Sequence, residues 1–299
     1  MGTALITGAS SGIGLEFAWQ LATARNDLVL VARDAARLNK VADAIRAAAG
    51  VKVEVLPADL NNPDDLARVA DRLRIALPIA PVDPVAVGLA PGQTQDPVGI
   101  LVNNAGFGTA QPLLGGDTEA EIRAINVMIT AVMVLSQAAA EQMVARGRGA
   151  IVNVGSIAAL TAMGTYSAAK AWVRTFTEGL AVELAGTGVT ATVIAPGLTR
   201  TEFHQRGGID TESLPDIAWL DAHQVVSEGL ADVRRGAVHS IPSHRYKAAA
   251  AVLRAAPRGT VRAIGNTGMR RKPLPDAAAS PSTNEDVPDD AQALAGVVL

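Results

Sequence analysis

Residues 3 to 14 constrain the fold more than any other stretch of this chain. Thr3–Thr7 has the length and apolarity of a buried strand and runs directly into Gly8-Ala-Ser-Ser-Gly12-Ile-Gly14, after which helical periodicity continues to about Ala24. A glycine-rich turn between strand and helix lets the backbone approach a pyrophosphate, and the N–H groups at the helix start then face the anion. Spaced glycines alone are weak evidence, but at the first turn of a βαβ pattern they point to a nucleotide site. The expected phosphate contacts are Gly8, Ser10, Ser11, Gly12, Ile13 and Gly14.

The alternation continues. Strands are expected at 28–32, 52–57 and 100–103, with helices to about Ala49, over 63–76, and over 117–125 and 126–145. The second strand ends Ala32-Arg33-Asp34, where the adenosine ribose of a bound dinucleotide belongs. An acidic residue there would bind the ribose 2′-hydroxyl, whereas alanine followed by Arg33 suits a 2′-phosphate, so NADP(H) is expected ahead of NAD(H). The competing reading is a surface arginine at a helix start, which the helix dipole disfavours. Asp34 is the natural N-cap. Asp59 and Leu60 follow the third strand and are expected near adenine, unless Asp59 only caps a turn.

Five prolines and three glycines between residues 77 and 99 break any regular element, so an exposed insertion is expected there. After it come Asn103, Asn104, Ala105 and Gly106 at a strand tip. Their amides are suited to tying neighbouring strands together, and the small Ala-Gly pair leaves room for a cofactor ribose. Asn126 interrupts an apolar helix and must find a polar partner.

The candidate chemistry lies in 150–176. An apolar strand, 151–154, a short loop and a helix place Ser156 at the strand end and Tyr166 and Lys170 four residues apart on one helix face. A neighbouring ammonium favours the phenolate, so Tyr166 is expected to exchange protons nearer neutrality than the usual value of about 10. With two tyrosines and five lysines in the chain, a chance pair at this spacing has odds of about 0.03, and an ordinary polar helix face stays open until context is added. A further strand, 189–195, ends Pro196-Gly197-Leu198-Thr199-Arg200-Thr201. Proline and glycine stop it and expose backbone, Thr199 included, for a nicotinamide carboxamide, with the Thr201 hydroxyl near a phosphate. Residues 202–217 read as a substrate lid or a plain surface excursion.

The chain has 299 residues and no cysteine, which excludes disulfides, thiol nucleophiles and cysteine metal sites and fits a cytoplasmic setting. No metal site is expected. The start is strand-like without a basic leader, and no unbroken apolar run reaches the roughly 18 residues that span a bilayer. The net charge of −3 hides ten basic and no acidic residues between 233 and 275. A solvated surface is the first reading of that segment, ahead of an anionic partner. No nucleic-acid partner is expected, and without large anchoring hydrophobes the helical stretch 244–256 is not expected to contact a membrane.

Taken together, Thr7-Gly8-x-x-x-Gly12-x-Gly14, Asn103-Asn104-Ala105-Gly106, Asn126, Ser156, Tyr166-x-x-x-Lys170 and Pro196-Gly197-x-x-x-Thr201 resemble the short-chain dehydrogenase/reductase superfamily. The resemblance implies an α/β fold, a single Rossmann-like domain with a doubly wound parallel sheet between helices, over residues 1–262. It implies a tetrad: Tyr166 as acid/base, Lys170 lowering its pKa and binding the nicotinamide ribose, Ser156 holding the substrate oxygen, and Asn126 anchoring a water behind Lys170. Three departures stand out. Ser156 precedes Tyr166 by ten residues where the family pattern has thirteen, leaving Asn153 at the usual offset; the insertion has no counterpart; and the usual glycine-rich carboxyl end is missing, with a strand at 237–241 and a disordered tail over 263–299 expected instead.

The expectation is therefore an NADP(H)-dependent oxidoreductase interconverting a ketone or aldehyde and an alcohol. Phe107, Leu160, Met163 and Phe203 favour a hydrophobic substrate, and the resemblance implies a homodimer or homotetramer formed through long helices such as 126–145 and 165–185. The alternatives are a non-catalytic NADP(H) sensor or scaffold, against which the intact tetrad argues, and an isomerase or dehydratase on the same scaffold.

Overall fold

A computed structural model describes residues 2–75, 96–109, 111–203 and 215–268. Most of the expected insertion and of the 202–217 segment, and the tail from 269, lie outside the described residues. Seven parallel strands form one sheet in the order β3-β2-β1-β4-β5-β6-β7: β1 Thr3–Thr7, β2 Asp27–Ala32, β3 Val53–Pro57, β4 Val98–Asn103, β5 Gly149–Val154, β6 Val189–Ile194 and β7 His239–Ser240. This is the expected doubly wound α/β sheet.

The strands are apolar at successive positions because both faces are covered. Leu5, Val29 and Val31 point to one face, into a core built with Val69 of helix α3 (Pro63–Arg74), Leu135 and Met143 of α5 (Ala131–Ala145) and Leu180 of α6 (Gly164–Glu183). Ala4, Ile6, Leu28 and Leu30 point to the other, against Phe17 of α1 (Gly12–Thr23), Leu38 and Ile45 of α2 (Ala35–Ala49) and Val226 and Leu230 of α7 (Ala222–Arg234). Each of the Leu, Ile, Val, Met and Phe side chains among them, once fully buried, contributes about 1.5–3 kcal/mol. Asp34 caps α2 by accepting from Arg37 N at 2.9 Å, and Asn62 and Asp117 cap α3 and α4 (Thr118–Ile125) in the same way.

Several details differ from the sequence reading. Residues 126–130 form a π turn joining α4 and α5 into one helical run, because the backbone of Asn126 bonds five residues ahead, to Ala131 N. By length and composition this run, 118–145, could cross a membrane, but half of its apolar window is buried inside the fold. Strand β4 begins within the expected insertion, at Val98, because Val98 pairs with Thr3 of β1 and Gly99 falls at the register shift before Ile100. The last strand shrinks to two residues, where β6 offers register only to His239 and Ser240. Helix α7 was not foreseen. Helices α8 (His244–Ala255) and α9 (Arg258–Gly268) follow, and α9 passes the expected end of the domain at 262, held by the fully buried Val261.

Candidate active site

All seven strands run the same way, so the tips of β1, β4, β5 and β6 meet at one edge of the sheet. Between β1 and β4 the winding reverses, which opens a crevice there. At its floor the Thr7 hydroxyl accepts from Asn104 N at 2.9 Å and Ala105 N at 3.0 Å, and Asn104 Nδ2 donates to Thr7 O at 2.9 Å. Asn103 Nδ2 donates to Asn153 Oδ1 at 2.9 Å and to Ser136 Oγ at 3.1 Å. These amides tie strand tips together as their position predicted.

The glycine turn leaves bare backbone facing this floor. Gly8 and Gly12 are left-handed, with φ of 67° and 55°, and a Cβ on Gly14 would stand 2.3 Å from Gly8 O. On Gly12 it would stand 3.1 Å from Thr201 Cβ, so the loop after β6 closes against the glycine turn. A Cβ on Gly106 would lie 3.7 Å from Lys170 Nζ, which carries the line of contacts from the β4 tip to helix α6. Ser10 is buried, and Ser11 precedes the first turn of α1. Arg33 is exposed at the end of β2 and pairs with no carboxylate among the described residues.

Asp59 caps a turn, accepting from Asn61 N at 3.0 Å. Leu60 is 6% exposed and buries its side chain in the core, so it offers a ligand chiefly its backbone. Asn126 Nδ2 donates to Asn61 Oδ1 at 3.0 Å, which gives this helical amide its partner.

Ser156 stands close enough to the Tyr166 phenol to pull its pKa downward, and its Oγ accepts from Ala158 N at 3.1 Å. Asn153, at the family's usual offset, is fully buried and donates to Thr177 Oγ1 at 2.9 Å. It faces the core, which leaves Ser156 as the serine beside the phenol. The Tyr166–Lys170 relation departs from expectation. Lys170 Nζ donates to Val154 O at 2.8 Å and lies 5.8 Å from the Tyr166 ring centroid. Burial pushes the phenol up to about 12, against a smaller downward pull from Ser156. Burial also lowers Lys170 from 10.5 to about 8. The expected acidic phenol is therefore corrected: in the protein alone, desolvation dominates and the ammonium is spent on a backbone carbonyl.

Of the four apolar candidates, Phe203 stands 5.8 Å from the Tyr166 ring, Phe107 packs in the same cluster, and Met163 is exposed. Leu160 instead turns under α8 with Ala250. Sequence reasoning also passed over two charged groups. Arg37 pairs with Glu202 through contacts of 2.6 and 3.0 Å, four residues beyond Arg33, a spacing that could have raised it. Glu121 is 5% exposed and accepts from Thr109 at 2.6 Å, Thr165 at 2.5 Å and Gln111 at 3.0 Å, linking the β4 loop to the residue before Tyr166. In sequence it looks like any acid near a helix start, so nothing signalled it.

Known proteins share this fold. The family model for short chain dehydrogenases matches residues 2–210. A short-chain dehydrogenase from Sphingobium yanoikuyae, solved in complex with NADPH, is 35% identical with a TM-score of 0.73, covering 92% of this chain and 99% of that one. The bulky-bulky ketone specific alcohol dehydrogenase from Comamonas testosteroni is 30% identical with a TM-score of 0.68, covering 86% and 96%. Galactitol 2-dehydrogenase (L-tagatose-forming) of Cereibacter sphaeroides is 33% identical over 225 residues, 73% of this chain and 78% of the relative. The chain belongs to the short-chain dehydrogenase/reductase family of oxidoreductases.

Proposed function

We propose that the protein is an NADP(H)-dependent dehydrogenase/reductase that interconverts a ketone or aldehyde and an alcohol, with Tyr166 exchanging the proton. The observation that carries this reading is the Tyr166 phenol beside Ser156, with Lys170 Nζ 5.8 Å from its ring centroid and next to Gly106 at the β4 tip. The crevice fits a dinucleotide, because Gly8, Gly12 and Gly14, where a Cβ would meet Asn104, Thr201 or Gly8 O, keep the turn tight and leave the backbone N–H groups at the start of α1 for a pyrophosphate.

In this reading Gly8, Ser10, Ser11, Gly12, Ile13, Gly14 and Thr201 hold phosphates, and Arg33 pairs with the 2′-phosphate. Asp59 and Leu60 border adenine; Asn104, Ala105 and Gly106 border ribose; Pro196, Gly197 and Thr199 border the nicotinamide. The bound cofactor supplies or accepts the hydride. The chain's own residues handle the proton. With a pKa of about 12 Tyr166 is protonated at neutral pH, so in reduction it gives its proton to the carbonyl oxygen that Ser156 holds. Lys170 faces the phenolate left behind and binds the nicotinamide ribose, and Asn126 anchors a water behind it through which solvent restores the proton. In the oxidation direction the phenol must first lose its proton, which it then regains from the alcohol.

The NADPH in the Sphingobium structure supports the cofactor, and the ketone-specific relative supports a carbonyl substrate. Phe107, Met163 and Phe203 near Tyr166 favour an apolar one. Exposed Ile122, Ile125, Met133 and Val144 on one helical run favour a homodimer or homotetramer, which light scattering on the purified chain would test. The functional test follows NADPH and NADH absorbance against a panel of ketones and aldehydes. Turnover that is faster with NADPH and lost in Tyr166→Phe supports the proposal; equal turnover in that variant removes the proton-transfer role.

A further inference from the structure

Helix α8 has no task in the reaction described above, yet it touches the reacting centre from two sides. Its inward face carries Tyr246, Ala250 and Leu253, at positions i, i+4 and i+7. Ala250 is 1% exposed and packs with Leu253 on Ile157 and Leu160, in the short turn that follows Ser156. One turn earlier, Tyr246 lays its ring on Gly197. A Cβ at Gly197 would stand 2.0 Å from the ring Cζ, so only glycine fits beneath it. Gly197 does not have a positive φ, which means the ring, not the backbone conformation, demands the glycine.

The Tyr246 hydroxyl accepts from Leu198 N at 3.1 Å and donates to Ala218 O at 2.7 Å. The rest of the loop is tied down around it. Pro196 O accepts from Ile157 N at 3.0 Å, Leu198 O accepts from Leu220 N at 2.8 Å, and Arg200 N donates to Leu220 O at 3.0 Å. Among the described residues the phenol is thus the one side chain that joins the Pro196–Thr201 loop both to α8 and to the segment before α7.

We propose that Tyr246 is a positioning residue of the active site: it clamps the loop after β6 and so sets where that loop meets the nicotinamide ring. This rests on the reading that Pro196, Gly197 and Thr199 border the nicotinamide, and it extends the site to a helix beyond the family motifs. Without the hydroxyl, Leu198 N–H and Ala218 O lose their partner, and the loop shifts from the reacting centre as far as its remaining backbone bonds allow. The loss then falls chiefly on the nicotinamide half of the cofactor, because the bond is made at Leu198, beside Pro196, Gly197 and Thr199, while Arg33 lies at the tip of β2 and Thr201, the loop's phosphate contact, lies three residues further on. A residue that only packed would weaken every ligand alike or none.

The test uses the full chain as wild type, Tyr246→Phe, Tyr246→Ala and, as control, Val252→Ala, an outward residue of the same helix that is 68% exposed. Each is titrated with NADPH and with 2′-phospho-ADP-ribose, which lacks the nicotinamide, and assayed for turnover of a carbonyl substrate. Tyr246→Phe keeps the ring on Gly197, so it stays informative even where Tyr246→Ala does not fold. It should bind NADPH about five- to tenfold more weakly, as the loss of one or two hydrogen bonds predicts, with kcat reduced and the fragment bound as in wild type. Wild-type NADPH affinity and turnover in Tyr246→Phe would overturn the clamp, and so would equal losses for NADPH and the fragment. A wild-type chain that binds neither ligand would instead overturn the cofactor reading, and the clamp with it.

Discussion

Replacing Lys170 with methionine should make the protein harder to unfold at neutral pH while abolishing turnover. The lysine is 5% exposed and its ammonium donates to Val154 O at 2.8 Å, yet burial lowers its pKa from 10.5 to about 8. At about 1.4 kcal/mol per pH unit, that fall means holding the charged form in the fold costs about 3 kcal/mol. The unfolded chain takes up the proton below about 10.5 and the folded chain only below about 8. Between those values the unfolded state binds more protons, so wild-type stability rises with pH across the window, and the cost is fully present below it. Methionine keeps a long apolar stem and removes the charge, at the loss of a hydrogen bond worth about 1 kcal/mol.

The net expectation for Lys170→Met is a gain of about 2 kcal/mol at pH 7, or about 5 °C in Tm for a domain of this size. Urea unfolding of both proteins at pH 7, 9 and 10.5 measures it. The advantage of the variant should shrink by about 3 kcal/mol over that range, whatever its value at any one pH. A difference that stays constant with pH would refute the reasoning, because it would show that the buried ammonium carries no penalty. A confirmed difference would identify a residue kept at the expense of stability.

Arg33→Ala should weaken NADPH binding by about 10- to 100-fold and NADH binding hardly at all, since only NADPH brings a 2′-phosphate; equal losses in fluorescence titration would refute the pairing. Gly14→Ala places a Cβ 2.3 Å from Gly8 O and 2.4 Å from Asn104 Nδ2, so thermal unfolding should show a loss of about 2–3 kcal/mol and cofactor affinity should fall at least about tenfold. Glu121→Ala leaves Thr109, Thr165 and Gln111 without their shared acceptor and should cost about 3 kcal/mol in urea unfolding. Burial alone would raise the Glu121 carboxyl, but hydrogen bonds from Thr109, Thr165 and Gln111 outweigh it and hold it below the usual range. Its stabilising effect should therefore be present above the ordinary carboxylate pKa and fade as pH falls through the lowered one; wild type and Glu121→Ala unfolding alike at pH 7 would contradict this.

What the sequence made legible was whatever a short run of residues decides. The strand from Thr3 to Thr7 and the turn from Gly8 to Gly14 announce themselves because glycine placement is local, and the apolar strands because both faces are buried. The π turn at Asn126 was out of reach, since it depends on how one carbonyl bonds five residues ahead. Glu121 and Tyr246 were out of reach for another reason: their partners lie 44 and 48 residues away in Thr165 and Leu198. The same holds for Tyr166. Spacing placed an ammonium on its helix face, but burial, which only the assembled fold determines, sets the phenol to about 12. Helix α7 was legible and missed, for Asp221 caps it and Val225, Val226 and Leu230 recur at helical spacing.

The central claim is that the glycine turn and the Tyr166–Ser156 pair face a single bound cofactor. A crystal structure of the chain with NADP(H) tests it most directly. The account predicts the pyrophosphate against the backbone of Gly12 and Ile13 and the nicotinamide between Gly106 and Pro196, with the Tyr166 hydroxyl open to the face from which a carbonyl would approach. A nicotinamide directed away from Tyr166, with the glycine turn engaged, would contradict it.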